Sequence, residues 1–182
     1  LMKKDRQNAV IQDKMVCISC GAQHPISGVP STCTKCGGIL DLVRGSTGPQ
    51  AQGTNGQGIW RWARQLPKCQ PKNRISLGEG GTPLLAVKRL GAAFGLEDLW
   101  VKNDAIMPSG SFKDRAIALA TSLACEYGRE GLVLASSGNA GASGAAYAAR
   151  AGKQLLVLVP KTAPGAKLRQ IAAAGAKLVT ID

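Results

Sequence analysis

The sequence predicts an α/β fold built on a parallel sheet, preceded by a small cysteine-rich segment. Three observations predict it. From about Gly78 onward, short apolar runs alternate with stretches of helical length. The segments joining them are short, as parallel strands with right-handed crossovers require. Four of the six cysteines fall within residues 15–45, as two C-x-x-C-G pairs.

The elements follow in order. Leu99-Trp100-Val101-Lys102 predicts a short strand. Pro108-Ser109-Gly110-Ser111 reads as a loop that opens a helix from Phe112 to Tyr127. Leu132-Val133-Leu134-Ala135 is an apolar run of the kind a buried parallel strand shows. Asn139 to Ala151 is an Ala/Gly-rich helix, and Leu155 to Val159 is a strand closed by Pro160. Pro164 opens a further helix, with Leu168 and Ile171 on one face and Gly175 past its end. Lys177 to Ile181 predicts a last strand. A parallel sheet needs both faces covered, so the expectation is the front part of a longer fold. The start at Leu1 rather than Met suggests that this end is not a native start.

Composition narrows the class. The 182 residues are 45% hydrophobic and 19% charged, which excludes a disordered chain. No apolar run approaches the ~18 residues that a membrane span needs, and no signal peptide is visible. Cytosol is the expected compartment, without membrane association. Net charge is +12. Residues 51–75 carry five Lys/Arg and no acid, so the excess is densest from Arg61 to Arg74. The aromatics there lack base-stacking spacing, so a solvated connector is expected and nucleic-acid binding is not. The Gly/Ser/Thr/Gln-rich residues 45–58 read as a flexible link. The division is therefore 1–45, 46–75 as link and basic connector, and 76–182.

Cys17, Cys20, Cys33 and Cys36 form two C-x-x-C-G knuckles with twelve residues between Cys20 and Cys33. Each turn aims two thiolates from one side, and the glycine takes the torsions that other residues resist. Four thiolates make a closed tetrahedral site suited to structural Zn²⁺. Two disulfides and a redox pair are the alternatives, and the cytosolic reading disfavours the first. His24 is expected on the surface rather than as a ligand. Cys125 is expected in a helix core, and Cys69 has no assignment.

Two loops carry candidate chemistry. In Pro108-Ser109-Gly110-Ser111-Phe112-Lys113-Asp114-Arg115, Ser111 and Asp114 have the spacing of a capping pair. Lys113 then sits in a first helical turn, where the partial positive charge disfavours an ammonium. A neutral amine can attack an aldehyde to form a Schiff base. A surface lysine beside a cap is the alternative. In Ser136-Ser137-Gly138-Asn139-Ala140-Gly141, a strand meets a helix N-terminus, whose exposed amides suit an anion. Tight helix–sheet packing is the alternative there. Neither G-x-G-x-x-G nor a Walker motif is present.

Together these loops resemble those of the pyridoxal-phosphate enzymes of the tryptophan-synthase-β fold type. Within that type the chain is most similar to the threonine synthases. Ser76-Leu77-Gly78-Glu79-Gly80-Gly81-Thr82-Pro83-Leu84, the Ile59 to Pro67 segment and the N-terminal cysteine ribbon add to the resemblance, which runs from about Val16 to the last residue. It implies a parallel three-layer α/β sandwich of the fold type II pyridoxal-phosphate enzymes behind a zinc ribbon. It implies that Lys113 holds pyridoxal phosphate as a Schiff base and acts as acid and base, with Phe112 beside the cofactor. Asn139 would hydrogen-bond the pyridine 3′-oxygen. Ser137, Gly138, Asn139, Ala140 and Gly141 would wrap the substrate carboxylate.

The implied reaction is γ-elimination of phosphate from O-phosphohomoserine, then β-hydration to threonine. The implied partner is thus a small phosphorylated amino acid, and a homodimer accords with the resemblance. Met107 departs from the family's usual Asn, and Ala116 from its usual Gly. The cofactor-phosphate loop and the partner of the pyridine nitrogen belong to the second half of the fold. Weak or absent catalysis is therefore expected of these residues alone. The rival readings are another lyase of the fold type, such as a cysteate synthase or an ammonia-lyase, and, more distantly, a zinc-ribbon module that binds nucleic acid.

Overall fold

The computed structural model describes residues 13–26, 32–45 and 57–182. Most of the expected Gly/Ser/Thr/Gln-rich link, residues 46–56, lies outside the described residues, as do residues 1–12. The chain divides into two compact units, Leu1–Gln52 with Arg64–Lys68, and Gly53–Ala63 with Cys69–Asp182.

The first unit holds three short antiparallel strands, β1 (Lys14–Cys17), β2 (Gln23–His24) and β3 (Leu40–Val43), in the order β2-β1-β3. Lys14 stands opposite Val43 and Cys17 opposite Leu40. Two turns project from this small sheet. Gly21 and Gly37 close them with φ of 70° and 72°, torsions that a side chain would resist.

The second unit opens with a 3-10 turn at Gly58–Trp62. Ile59 and Trp60 are buried there, and the Trp60 indole donates to the Ile75 carbonyl at 3.0 Å. The basic stretch is therefore partly built into this unit. Arg74 lies 5.2 Å over the Trp60 ring and donates to the Cys69 carbonyl.

Next come β4 (Leu84–Ala86), α1 (Lys88–Ala93) and β5 (Trp100–Lys102). The strand expected at 99–102 does form, but outside the parallel sheet. It pairs antiparallel with β4, with Leu84 opposite Lys102. A run as short as β4, between Pro83 and a helix, carries no period that sequence reading could detect.

The expected alternation then appears as α2 (Lys113–Glu126), β6 (Gly131–Ala135), α3 (Asn139–Arg150), β7 (Gln154–Pro160), α4 (Gly165–Ala173) and β8 (Lys177–Ile181). The sheet is parallel, in the order β6-β7-β8. One face packs on α3 and α4. Ala142, Ala145, Ala148, Leu155, Val157, Val159 and Ile171 form the core, with Leu132, Leu134 and Leu178 against it. The opposite face is open among the described residues: Val133 is 68% exposed and Val179 42%. The buried strand expected at 132–135 is thus buried on one side only.

Helix α3 approaches the sheet closely because its facing residues are small. A Cβ on Gly141 would lie 2.5 Å from the Ser136 carbonyl oxygen and 2.9 Å from Ile171 Cδ1. The first is backbone, and the second is the methyl end of a fully buried side chain. Helix α2 packs on α3 and is tied to the β4–β5 region by Arg115. Its guanidinium meets both oxygens of Asp104, at 2.6 and 3.0 Å, while the Thr82 hydroxyl donates to Asp104 at 2.7 Å. Arg115, with Thr82 assisting, holds the Asp104 carboxyl down at about 2.

Gly141→Ala is expected to destabilise the fold by about 1–3 kcal/mol, read from the urea midpoint. The Asp104 contribution has a defined pH window. A carboxyl whose folded pKa lies below its unfolded value stabilises above the unfolded value. That contribution is lost as pH falls through the folded one, about 2. Asp104→Asn is therefore expected to lower the melting temperature at neutral pH and to flatten its fall between pH 4 and 2.

Candidate functional site

Strand β6 ends at Ala135 and the chain turns through Ser136, Ser137 and Gly138 into α3. The loop thus lies beyond the carboxyl end of a parallel strand, where open α/β sheets bind ligands. Asn139, Ala140 and Gly141 form the first turn of α3. The Ser136 hydroxyl accepts from the amides of Gly138 and Gly141, at 3.3 and 3.1 Å. It performs the capping for which Gly138 has no side chain.

Lys113 is the first residue of α2, preceded by the loop Pro108–Phe112. The expected capping pair does not form. Phe112 stands at the N-cap without a side-chain bond, and the Ser111 hydroxyl is buried without a partner. Asp114 turns inward instead. Its carboxyl, fully buried, accepts from the Ser109 amide at 2.7 Å, from the Ser109 hydroxyl, and from the Ser143 hydroxyl on α3 at 2.6 Å. Three donors inside the unit outcompete the single amide that a capping pair would offer.

This bond fixes the relation between the two loops. Asp114 is the second residue of α2 and Ser143 the fifth of α3. The two N-terminal turns therefore lie at the same end of the helix pair, and with them the Lys113 and Asn139 positions. Lys113 is half-buried, with its Nζ 4.6 Å from the centre of the exposed Phe112 ring. Ser137 and Gly138 are half-buried in the adjoining loop. Two helix N-termini side by side favour an anionic ligand.

Below them lies a second buried carboxyl. Glu79 accepts from the Tyr147 hydroxyl at 2.9 Å, the Ser76 hydroxyl at 3.0 Å, the Leu77 amide at 3.0 Å and the Ile59 amide at 3.3 Å. Burial, then the bond to Glu79, pushes the Tyr147 phenol well above its ordinary value. Met107 is buried beside it, with its sulfur 3.3 Å from the Gly80 amide, which donates to it. The departure from the family's usual Asn is thus accommodated by a thioether acceptor. Ala116 is exposed.

Sequence reading did not single out Ser109, Ser136, Ser143, Glu79 or Tyr147 as site residues. The available signal was polarity out of place. Ser143 and Tyr147 stand in a helix otherwise made of Ala and Gly on its buried side.

In the first unit, the side chains of Cys17, Cys20, Cys33 and Cys36 converge, their sulfurs all within 4.8 Å of one another. The Cys33 sulfur accepts from the Lys35 amide at 3.4 Å, and the His24 Nε2 lies 3.3 Å from it. His24 is half-buried against the cluster rather than a surface residue. Burial pushes the Cys17 thiol up, but the amides of Cys20 and Ser19 outweigh it and bring it down to about 6. At Cys36 the Gly38 amide favours the thiolate, yet the sulfurs of Cys20 and Cys17 hold the thiol up. Four thiols so close cannot all ionise without a cation among them, which is the donor chemistry of a zinc site.

Known proteins share this sequence and fold. The chain is 38% identical over 173 residues to the threonine synthase of Methanocaldococcus jannaschii, covering 91% of this chain and 42% of that one. It is 36% identical to the threonine synthase of Methanosarcina acetivorans, with the same coverage. The chain thus spans about 42% of the length of these curated relatives. Among solved structures, maize serine racemase superposes with a TM-score of 0.51 at 27% identity, over 56% of this chain and 31% of that one. Diaminopropionate ammonia lyase from Escherichia coli superposes at 0.52 and 21% identity, over 63% and 40%, and bears on the fold alone. A family model described as pyridoxal-phosphate dependent enzyme matches residues 75–182. The chain belongs to that family.

Proposed function

We propose that this chain carries the lysine and asparagine side of the site in a threonine-synthase-type lyase. The reaction is release of phosphate from O-phosphohomoserine and hydration to threonine. The observation that carries the reading is the placement of Lys113 and Asn139 at one end of the α2–α3 pair, held by the Asp114–Ser143 bond. The resemblance to threonine synthases supports the substrate.

The residues present fit the cofactor. Lys113 offers an amine, and the Ser111 hydroxyl two residues away is buried and unpartnered. Bound pyridoxal phosphate supplies an electron sink for charge that develops on the substrate carbon. Lys113 would hold the cofactor through its Nζ and, once the substrate amine has displaced that nitrogen, would move protons at the substrate carbons. Phe112 would lie beside the cofactor, and Asn139 would hydrogen-bond its 3′-oxygen. Ser137, Gly138, Asn139, Ala140 and Gly141 hold the substrate carboxylate at the start of α3, where the helix dipole favours an anion. In the first unit, Cys17, Cys20, Cys33 and Cys36 hold a structural Zn²⁺ that takes no part in the chemistry.

A second reading, a lyase of the same fold type acting on a different amino acid, is favoured by one observation: the thioether of Met107 stands where an amide is usual.

In the holoenzyme, Lys113→Ala is expected to abolish the visible band of bound cofactor and to lower phosphate release by at least about 100-fold. A variant that keeps the band would overturn the assignment. O-Phosphohomoserine and O-phosphoserine, offered side by side, separate the two readings: faster phosphate release from the second would favour the other lyase. Purified protein is expected to contain equimolar zinc, and Cys33→Ser to lose it. Metal analysis showing no zinc in the parent protein would remove the metal assignment.

A further inference from the structure

Asp114 has no role in the chemistry above, yet its environment is unusually specific. It is fully buried, and all its donors come from two places. Ser109, four residues before Lys113, donates through its amide and its hydroxyl. Ser143, four residues after Asn139, donates through its hydroxyl. The carboxyl therefore links the loop that leads into the lysine to the helix that begins with the asparagine. A capping role is excluded, since the helix end is capped by backbone alone and the Ser111 hydroxyl makes no bond. Simple space filling does not account for it either. An apolar side chain would fill the volume but leave the Ser109 amide and the Ser143 hydroxyl without their acceptor.

Ser109 is half-buried and Ser143 fully buried, so the link is shielded from competing water on the α3 side. Such a bond holds its partners to a few tenths of an ångström. The loop carries few other restraints. The Gly110 amide bonds the Met107 carbonyl and the Asp114 amide bonds the Ser111 carbonyl at 3.3 Å, but neither reaches α3.

We propose that Asp114 is a positioning residue that, through Ser109 and Ser143, sets the placement of the Lys113 amine against Asn139 and the start of α3. The proposal rests on the lyase reading above. Its role is geometric: the amine and the Asn139 amide must meet one planar ring from two different chain segments. A misplacement of about 1 Å at a reacting group can cost ~100-fold in rate.

The test compares Ser143→Ala, Ser109→Ala and Ser109→Thr in the holoenzyme. Ser143→Ala removes the α3 donor. Ser109→Ala removes the loop hydroxyl, and Ser109→Thr returns it at a half-buried position. The readouts are the pH titration of the visible cofactor band, kcat and KM with O-phosphohomoserine, and the melting temperature without cofactor. Both alanine variants are expected to shift the band titration by about 0.5 pH unit or more. They are expected to lower kcat by ~10- to 100-fold, with KM changed far less. Ser109→Thr is expected to restore both. Band titrations and kcat equal to the parent would overturn the proposal. So would losses that follow the melting temperature and vanish on cooling, which mark a structural role only. A parent holoprotein with no cofactor band overturns the lyase reading and this proposal together. A normal parent band beside unaltered variants overturns this proposal alone.

Discussion

Taking a carboxyl out of water costs several kcal/mol unless donors replace its hydration. Glu79 is wholly buried and is met by the Tyr147 and Ser76 hydroxyls and the Leu77 and Ile59 amides. Those groups come from α3, from the Gly-rich loop at 76–81 and from the turn at 58–62. Each segment has its own weak preference for structure. Their common acceptor draws them to one point, and α3 is held at two places, with Tyr147 bonded to Glu79 and Ser143 to Asp114. Two buried acceptors on successive turns of α3 give the α/β unit a polar spine beside its apolar core. Removing either would leave hydroxyls and amides without partners, a larger penalty than the bonds themselves contribute.

The small side chains of α3 belong to the same design. Gly141 and Gly144 let the helix lie close on Leu134, Leu155 and Ile171, so its first turn meets the end of β6 directly. Ser136 then folds back to satisfy two amides of that turn. The outcome is a helix start that is rigid before any ligand arrives, which is what preorganised binding of an anion needs.

The parallel alternation after residue 112 was legible because each element there is long or strongly patterned. The strand at 100–102 was legible as extended, but its pairing with β4 was not, since pairing partners leave no mark on so short a run. The capping pair at Ser111 and Asp114 shows another limit. Spacing alone does not reveal that a hydroxyl on a distant helix offers Asp114 a better, drier partner. Arg74 stacks on Trp60 and caps a carbonyl, so its charge says little about an external partner. The cysteine knuckles and both candidate loops were visible because their patterns are local, whereas the bonds of Asp114 and Glu79 to α3 span 29 and 68 residues.

Cys69 shows what burial means for a side chain with no assigned task. Its thiol sits against the Ser122 carbonyl of α2, and burial, with the nearby Glu126, pushes it up to about 11. At neutral pH almost none of it is thiolate, so alkylating reagents react with it only when this part of the unit opens. The rate of its modification is therefore a clock for local opening between residues 69–75 and α2. The same residue gives a reporter for breathing motions at the C-terminal part of α2 without any label added to the chain.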